Sequence, residues 1–566
     1  MDDCIFILVP VHARAVVHGV SSRAGSRLRG KRPSGELAGL VGASNGTRWR
    51  PRFPSGITML ALVAGVIFAG CWLADAYWFG QRIGPAAHLG PLRLLLDLDP
   101  GTLQNELGAL AQIIVAVLGI AITVVSIVVQ LAATRYTPRI ADMFFRDKTN
   151  LAIMGFFVVA CLNAVWVTLV VSSNYIPRVT IVMTLAMTSA SLLLLIPYFA
   201  YVFDFLDPGK VIVRIGQHVL DAALGRRVGR KASHDVAARQ AMCVAAMEHL
   251  SDVAVNAVAQ KDKIIASHAT AALRTAVVRY QPHKASLPDD WFAVGPRIRS
   301  NPDFIAMEAD SLRDLESQRL WFEWKVLRHL RSVFSESLNH LPEMAHVVAI
   351  ETRYVGEAAL QRDDRAVVAA AVKYFNTYLR GAINSRDVRA CYNILNQYRL
   401  LAELLLRHGW SDLVLAIAHH LAYYGQVARG AGMVFVTETS AHDLGALCER
   451  AFDAASPAHD TMLGVLLEVD REAETKSDEK ALRGVRKAQV KLATYYLVHG
   501  ADGYAQRISD DMRSESPERL DSIRAEMVRI HAKDFWEVTD RGVNFDYLDD
   551  SRRDKLDVFF DGLSLR

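Results

Sequence analysis

Cysteine is scarce and unpatterned: six residues in a chain of 566, at Cys4, Cys71, Cys161, Cys243, Cys391 and Cys448, with no CxxC pair. Two lie inside apolar runs, where a thiol acts as a small hydrophobe, so neither a disulfide framework nor a zinc module is expected. A dominant charge of one sign is missing as well. The net charge is +4, with 16 Lys+Arg against 10 Asp+Glu up to residue 204 and a slight acidic excess beyond it. That leaves no basic domain of the kind that grips nucleic acid, and nucleic acid is excluded as a partner. Reactive signatures are absent too: there is no Walker loop, GxGxxG, HExxH or nucleophile elbow. No catalytic, cofactor-binding or metal residue is assigned, and no enzyme activity or cofactor is expected. His419-His420 and His442-Asp443 read as ordinary helix-surface residues rather than ligands.

What the chain does have is long apolar runs. A helix needs about 20 mostly apolar residues to cross a hydrocarbon layer, and four segments qualify: Ile57 to Phe79, Leu107 to Ala133, Leu151 to Ser173 and Val179 to Phe203. Lys and Arg cluster in alternate flanks. They are dense from Arg14 to Arg52, sparse at Arg82 and Arg93, dense from Arg135 to Lys148, sparse at Arg178, and dense again from Lys210 to Arg230. Positive flanks stay cytoplasmic, so the expected topology is a multi-pass inner-membrane protein with both termini cytoplasmic. Residues 1–55 read as a disordered basic cytoplasmic tail, or as an overextended start of translation; Asp2 and Asp3 do not suit a signal peptide.

No Asp, Glu, Lys, Arg or His lies near the middle of any span, which argues against an ion-coupled pump. Asp75 and Asp204 sit at span ends and read as solvated interfacial carboxylates. Neutral polar residues are present. Thr123, Ser126, Gln130, Thr134 and Thr137 recur at spacings of three and four on one face of the second span, opposite Leu118, Ile122, Val125 and Val129. In lipid an amide must find a partner, so this face is expected to look at protein or water. Thr184, Thr188 and Ser191 form a weaker stripe on the fourth span, and Asn163 stands alone in the third. Either a polar pathway or simple interhelical hydrogen bonding fits these residues. Ala61, Gly65 and Ala69 add a small-residue face to the first span.

Pro138 disfavours helix at Thr137, so the second span should kink or stop there, with Arg135 and Arg139 at headgroup level and a short amphipathic segment, ADMFFRDK, following. The run from Gln130 to Arg139, continued by Phe144, Arg146, Asp147, Asn150, Gly155 and Phe157, resembles the signature of a family of predicted bacterial integral membrane proteins classed as a domain of unknown function. The chain departs from that pattern at Ala133 (usually Ser), Arg135 (often Gln) and Thr137 (often Ser). The resemblance spans roughly Gly56 to Ala223 and implies a bacterial inner-membrane location, without an activity or substrate. A second echo lies at Ile383 to Asp387, where the family carries an Asn-Asp-Pro segment opening a helix; its Asp-Pro is missing here.

After Asp207-Pro208-Gly209 the pattern changes to soluble helices. One long helical region is expected over 235–280, a Pro/Asp-rich loop over 281–302, and helices near 303–340, 343–361, 363–382, 386–408, 410–428, 440–455, 479–499 and 516–532. Met433 to Thr437, MVFVT, looks strand-like. Trp321, Phe322 and Trp324 with Lys325 and Arg328 read as a helix packing on the core or near the membrane surface. The fold class is thus all-α: a tail at 1–55, four transmembrane helices over 56–204, and a cytosolic helical domain over 205–566, bundle or solenoid-like. Two functions fit. One is a channel or transporter-like protein whose polar stripe and elbow (Thr123, Ser126, Gln130, Thr134, Arg135, Thr137, Pro138, Arg139 and Asn163) line or gate a path, with a homo-oligomer to complete it. The other is a membrane-anchored regulatory scaffold whose cytosolic domain binds protein partners. In both the lipid bilayer is a partner.

Overall fold

The computed structural model describes residues 53–75, 77, 100–135, 139–172, 176–226, 235–470, 476–535, 538, 540–542 and 544–564. The basic tail up to residue 52, Arg82 and Arg93, and Thr137 and Pro138 lie outside the described residues, as do the side chains of Arg135 and Arg139. The described residues from Leu60 onward belong to one compact unit.

The described chain is helical, with no strand among its described residues. Five helices build the apolar part: α1 (Phe53–Ala74), α2 (Pro100–Arg135), α3 (Arg139–Arg146), α4 (Lys148–Val170) and α5 (Arg178–Phe205). Three of them, α2, α4 and α5, are long and apolar enough to cross a membrane, rather than the four expected. The exception is the first: its described apolar stretch, Ala61–Ala74, falls short of the length a bilayer demands. Its small-residue face is also turned away from the packing. Ala61 and Ala69 are exposed, and Ala64 makes the buried contact instead. Ala64 clusters with Ala111 and Ile114 of α2, Ala160 and Ala164 of α4 and Met187 of α5, and the alanines among them let helix backbones approach closely.

Beyond α5 come α6 (Pro208–Leu224), α7 (Val236–Ala259), α8 (Lys263–Lys284), α9 (Trp321–His340), α10 (Glu343–Leu360), α11 (Arg365–Asn384), α12 (Val388–Arg407), α13 (Ser411–Gly430), α14 (Val434–Asp453), α15 (His459–Leu467), α16 (Lys476–Val498), α17 (Asp502–Asp511), α18 (Pro517–Arg529), α19 (Asp550–Arg553) and α20 (Leu556–Ser564). The single helical region expected over 235–280 is two helices, α7 and α8. The expected loop begins later than 281, because α8 continues through Pro282, and it is broken by helical turns at Asp289–Trp291, Pro296–Arg299 and Pro302–Ile305. Met433 to Thr437 is no strand: Met433 caps α14, and the branched residues enter its first turn. Burial of Val436 and Thr437 against neighbouring helices outweighs their β preference.

One turn recurs along this array. At Lys261, Arg319, Asp363, Arg386 and Ala455 a non-glycine residue takes positive φ, as do Gly225, Gly409, Gly432 and Gly500. In each case the next amide reaches back to close the helix end, as in Asp262 N to Ala257 O, Asp387 N to Ala382 O and Met433 N to Ala428 O. This is the Schellman closure, which satisfies orphan carbonyls and reverses the chain within a few residues. At 262, 364 and 387 the residue after the turn is an Asp that caps the next helix, accepting from Ile265 N, Val367 N and Ala390 N. Each such cap contributes about 1 kcal/mol. The echo at Ile383 to Asp387 therefore opens a helix after all, by an Asp cap without its proline.

A single hydrophobic core runs from Val125 and Val129 of α2, through Phe144 of α3 and Tyr198 and Phe205 of α5, into α6 and onward to Phe559 and Phe560 of α20. The ends of the apolar helices thus share one core with the helical array. Trp321 and Phe322 are fully buried in it, as their spacing implied. Lys325 beside them is buried too, held by Asp303, Asn301 and Glu248.

Candidate functional site

Two polar stripes run along the apolar helices, and they face opposite ways. On α2 the buried face carries Ala121, Val125, Val129 and Ala132. The opposite face carries Thr123, Gln130 and Thr134, all exposed, with Ser126 at its half-buried edge. Two of the hydroxyls turn back on their own helix: Thr123 Oγ1 donates to Gly119 O at 2.8 Å, and Thr134 Oγ1 reaches Leu131 O and Gln130 O. Such back-bonding satisfies a hydroxyl without a neighbour. A primary amide has no comparable route, and the side-chain amide of Gln130, which is exposed, makes no hydrogen bond to a described residue.

The stripe of α5 points inward. Thr180, Thr184, Thr188 and Ser191 are all buried, and Asn163 of α4 and Asp75 beyond α1 join them. Asp75 is therefore no solvated interfacial group; it is 1% exposed. Its carboxylate accepts from Val179 N (2.8 Å), Thr180 N (3.0 Å) and Thr180 Oγ1 (2.8 Å), placing a negative charge on the amino end of α5. The orphan N–H groups and the helix dipole both favour it there. One turn deeper, Asn163 Nδ2 donates to Thr184 Oγ1 at 2.7 Å, so Asn163 is not alone. Thr184 in turn donates to Thr180 O, and Ser191 to Met187 O.

That geometry limits the chemistry. The donation from Asn163 through Thr184 ends on a backbone carbonyl, which cannot pass a proton on. The column ties α1, α4 and α5 together and leaves one loose end: Thr188 Oγ1, buried with no partner among the described residues. Asp204, the other span-end carboxylate, behaves as expected, exposed and paired with Lys210.

The third element is the elbow after α2. The described part of α2 ends at Arg135 and α3 opens at Arg139; the break expected at Thr137 and Pro138 lies outside the described residues. Along α3, Ile140 and Phe144 are buried and Asp142 is exposed, the two faces of the amphipathic segment. Phe144 packs edge-on against Phe205 at 5.4 Å, and the Arg214 guanidinium of α6 lies 4.1 Å over the same Phe205 ring. Asp147 caps α4 by accepting from Thr149 N and Asn150 N, and it also accepts from Tyr201 Oη. Burial works to raise the Asp147 carboxyl, but the hydrogen bonds from Tyr201, Asn150 and Thr149 outweigh it and hold the group below the usual carboxylate range. Asn150 donates to Phe144 O and accepts from Tyr198 Oη. Phe157 packs edge-on against Tyr198 at 5.9 Å.

Phe144, Asp147, Asn150 and Phe157 of the motif therefore converge on one end of α5. Each is explained by a contact: a ring in the core, a cap, a bridge between helices, a second ring. Of the residues expected to line or gate a path, only Asn163 is brought into a polar interior among the described residues, beside Thr184, Thr188 and Ser191 of the weaker stripe. Asp75 and Thr180 were missed as site residues. The available signal was an isolated carboxylate at one span end and a Pro-Arg-x-Thr start at another.

Neither curated proteins nor solved structures provide a match to this chain. Over residues 52–276, from the start of α1 into α8 and including the whole elbow, the chain matches the model of a family of predicted membrane proteins of unknown function, DUF2254, the kind of family that the Gln130 to Phe157 motif resembles.

Proposed function

We propose that the protein is a channel or transporter-like membrane protein that works as a homo-oligomer, its copies meeting through α2. One observation carries this reading: the polar stripe of α2 is turned away from the chain's own core. In hydrocarbon an outward amide and its neighbouring hydroxyls call for a protein neighbour or a water-lined path. A path through one copy is disfavoured by the α5 column, whose donors are spent on tying helices together. A path between copies, lined by Thr123, Ser126, Gln130 and Thr134, uses the groups that remain. Burial agrees: 22% of the apolar window of α2 is buried, against 44% for α4 and 33% for α5.

In this reading α2, with 36 residues or about 54 Å of rise, outreaches a hydrocarbon layer of about 30 Å. Its Arg135 end lies at the cytoplasmic face of a bacterial inner membrane, both termini are cytoplasmic, and the helical array is a cytosolic domain that moves or locks the elbow. No catalytic step is part of it. The test is flux in proteoliposomes together with disulfide cross-linking of Ser126→Cys chains. Gln130→Leu should lower flux at least about tenfold while the protein still folds, and Ser126→Cys chains should cross-link between copies. Unaltered flux with no cross-link sinks the proposal.

A second reading is a membrane-anchored scaffold whose helical array binds partners. The continuity of the core from α2 to α20 favours it, because a rigid body is what a docking platform needs. It predicts no flux from the wild-type chain in the same vesicles.

A further inference from the structure

Most buried carboxylates of the array have a cation beside them. Glu323 meets Lys284, Asp470 meets Arg486, and Asp443 meets Arg541. Glu438 on α14 departs from this rule: no cation stands within ion-pair distance of it among the described residues. One turn along the same face, four residues on, is His442. Asp546 arrives from the irregular segment between α18 and α19, about a hundred residues later in the chain. One ligand atom from each of the three lies within 4.8 Å of the other two.

We propose that Glu438, His442 and Asp546 hold a divalent transition-metal ion, of the class that accepts one imidazole and two carboxylates, and that the ion clamps the C-terminal segment onto α14. Unmet bonding capacity supports the assignment as much as proximity does. His442 is 7% exposed, and its Nε2 is fully buried with no hydrogen-bond partner. Asp546 Oδ1 is buried and unpartnered as well, while Oδ2 is held by Lys487 at 2.8 Å. Buried polar atoms are rarely left unpaired, so two orphans in one cluster call for a shared partner. Both are Lewis bases.

The surroundings fit a positioned ligand set. The His442 ring is stacked at 4.6 Å and 12° on Phe545, the residue before Asp546, and Lys491 donates to Phe545 O at 2.8 Å. Gly484 of α16 backs Glu438 so closely that an added Cβ would come within 2.6 Å of it, so only glycine leaves room for that carboxylate. Lys487 takes one Asp546 oxygen and Glu526, acting as the kind of outer partner that orients a ligating carboxylate. Its charge, with that of Lys491, opposes a cation. This favours an ion bound through strong imidazole and carboxylate bonds over Ca2+ or Mg2+, which need more oxygen ligands.

The experiment is a titration of the EDTA-stripped full-length chain in detergent with Co2+, followed by visible absorption and by hydrogen exchange of residues 541–549. One Co2+ per chain should bind, exchange of the segment should slow, and the His442→Gln and Glu438→Gln variants should each bind at least about tenfold more weakly. Asp546→Asn lies outside any helix, keeps an oxygen for Lys487 Nζ and so guards against misfolding. It too should lose affinity while the metal-free chain unfolds at the wild-type temperature. Absence of Co2+ binding by the wild type, or unchanged binding in the folded variants, overturns the proposal.

Discussion

The stripes of α2 and α5 are written in the same alphabet of hydroxyls and amides at helical spacing, yet the structure treats them differently. That of α5 faces α1 and α4, where Asp75 and Asn163 complete it. That of α2 faces out, with two of its hydroxyls folded back on carbonyls of the same helix and the Gln130 amide unmatched by any described residue. The difference shows that a polar stripe reports a need for partners and says nothing about whether one chain supplies them. An inward stripe is glue within the fold. An outward one leaves its polar groups to be met outside the chain's own core.

This contrast can be broken at its strongest point first. Asp75→Ala removes the only side-chain acceptor that the described residues place on the amino end of α5, and strands Thr180. The expected loss is about 3 kcal/mol, read from thermal unfolding of the solubilised chain. A loss below about 1 kcal/mol would show that the inward stripe is not the tie described here. Next comes acid, which should separate the array from the apolar helices. Burial, reinforced by Lys325 and Arg328 against the opposing charge of Asp303, lowers His329 to about 3. Below pH 6.5 the unfolded chain takes up this proton and the folded chain does not. Stability from His329 is therefore full above that pH and falls as pH drops toward 3, by on the order of 2 kcal/mol at pH 5. Hydrogen exchange should locate the opening around α9 rather than α5, and His329→Leu should flatten the slope.

Two smaller effects sharpen the contrast. Asn163→Leu deletes one buried hydrogen bond to Thr184 and should cost about 1 kcal/mol, because the Thr184 hydroxyl keeps its bond to Thr180 O. Gln130→Leu should leave the unfolding free energy of the dispersed chain within about 0.5 kcal/mol of wild type, as expected for a surface change. A large loss there would mean that Gln130 is bonded inside the chain, and the two stripes would no longer differ.

Much of the helical architecture was readable in advance. Asp207-Pro208 marked the start of α6 because Asp caps a helix and Pro fits its first turn, and the structure has both. Helices α10 to α13 fall within two residues of their expected bounds because their apolar spacing is regular. Less was readable where one signal competes with another. Met433 to Thr437 has strand composition, but neighbouring helices bury it as helix. Asp75 has the position of a solvated span end, but it sits against the amide groups of α5. His442 and Asp443 look like an adjacent surface pair, yet Asp443 turns to Arg541 and Arg399 while His442 turns to Asp546. Residues a hundred positions apart leave no joint trace in local spacing.

By itself, then, the sequence determined that the chain is helical, that three of its segments are apolar enough for a bilayer though it suggested a fourth, that α6 opens at Asp207-Pro208, and which family the elbow motif resembles. These follow from local periodicity, backbone sterics and hydropathy, which act over a few residues. The tertiary structure alone decided which way each polar stripe faces, that Asp75 is a buried cap, and that Glu438, His442 and Asp546 meet. Those outcomes depend on which helix faces which, and packing a whole core settles that, with each polar atom left to find its partner afterwards.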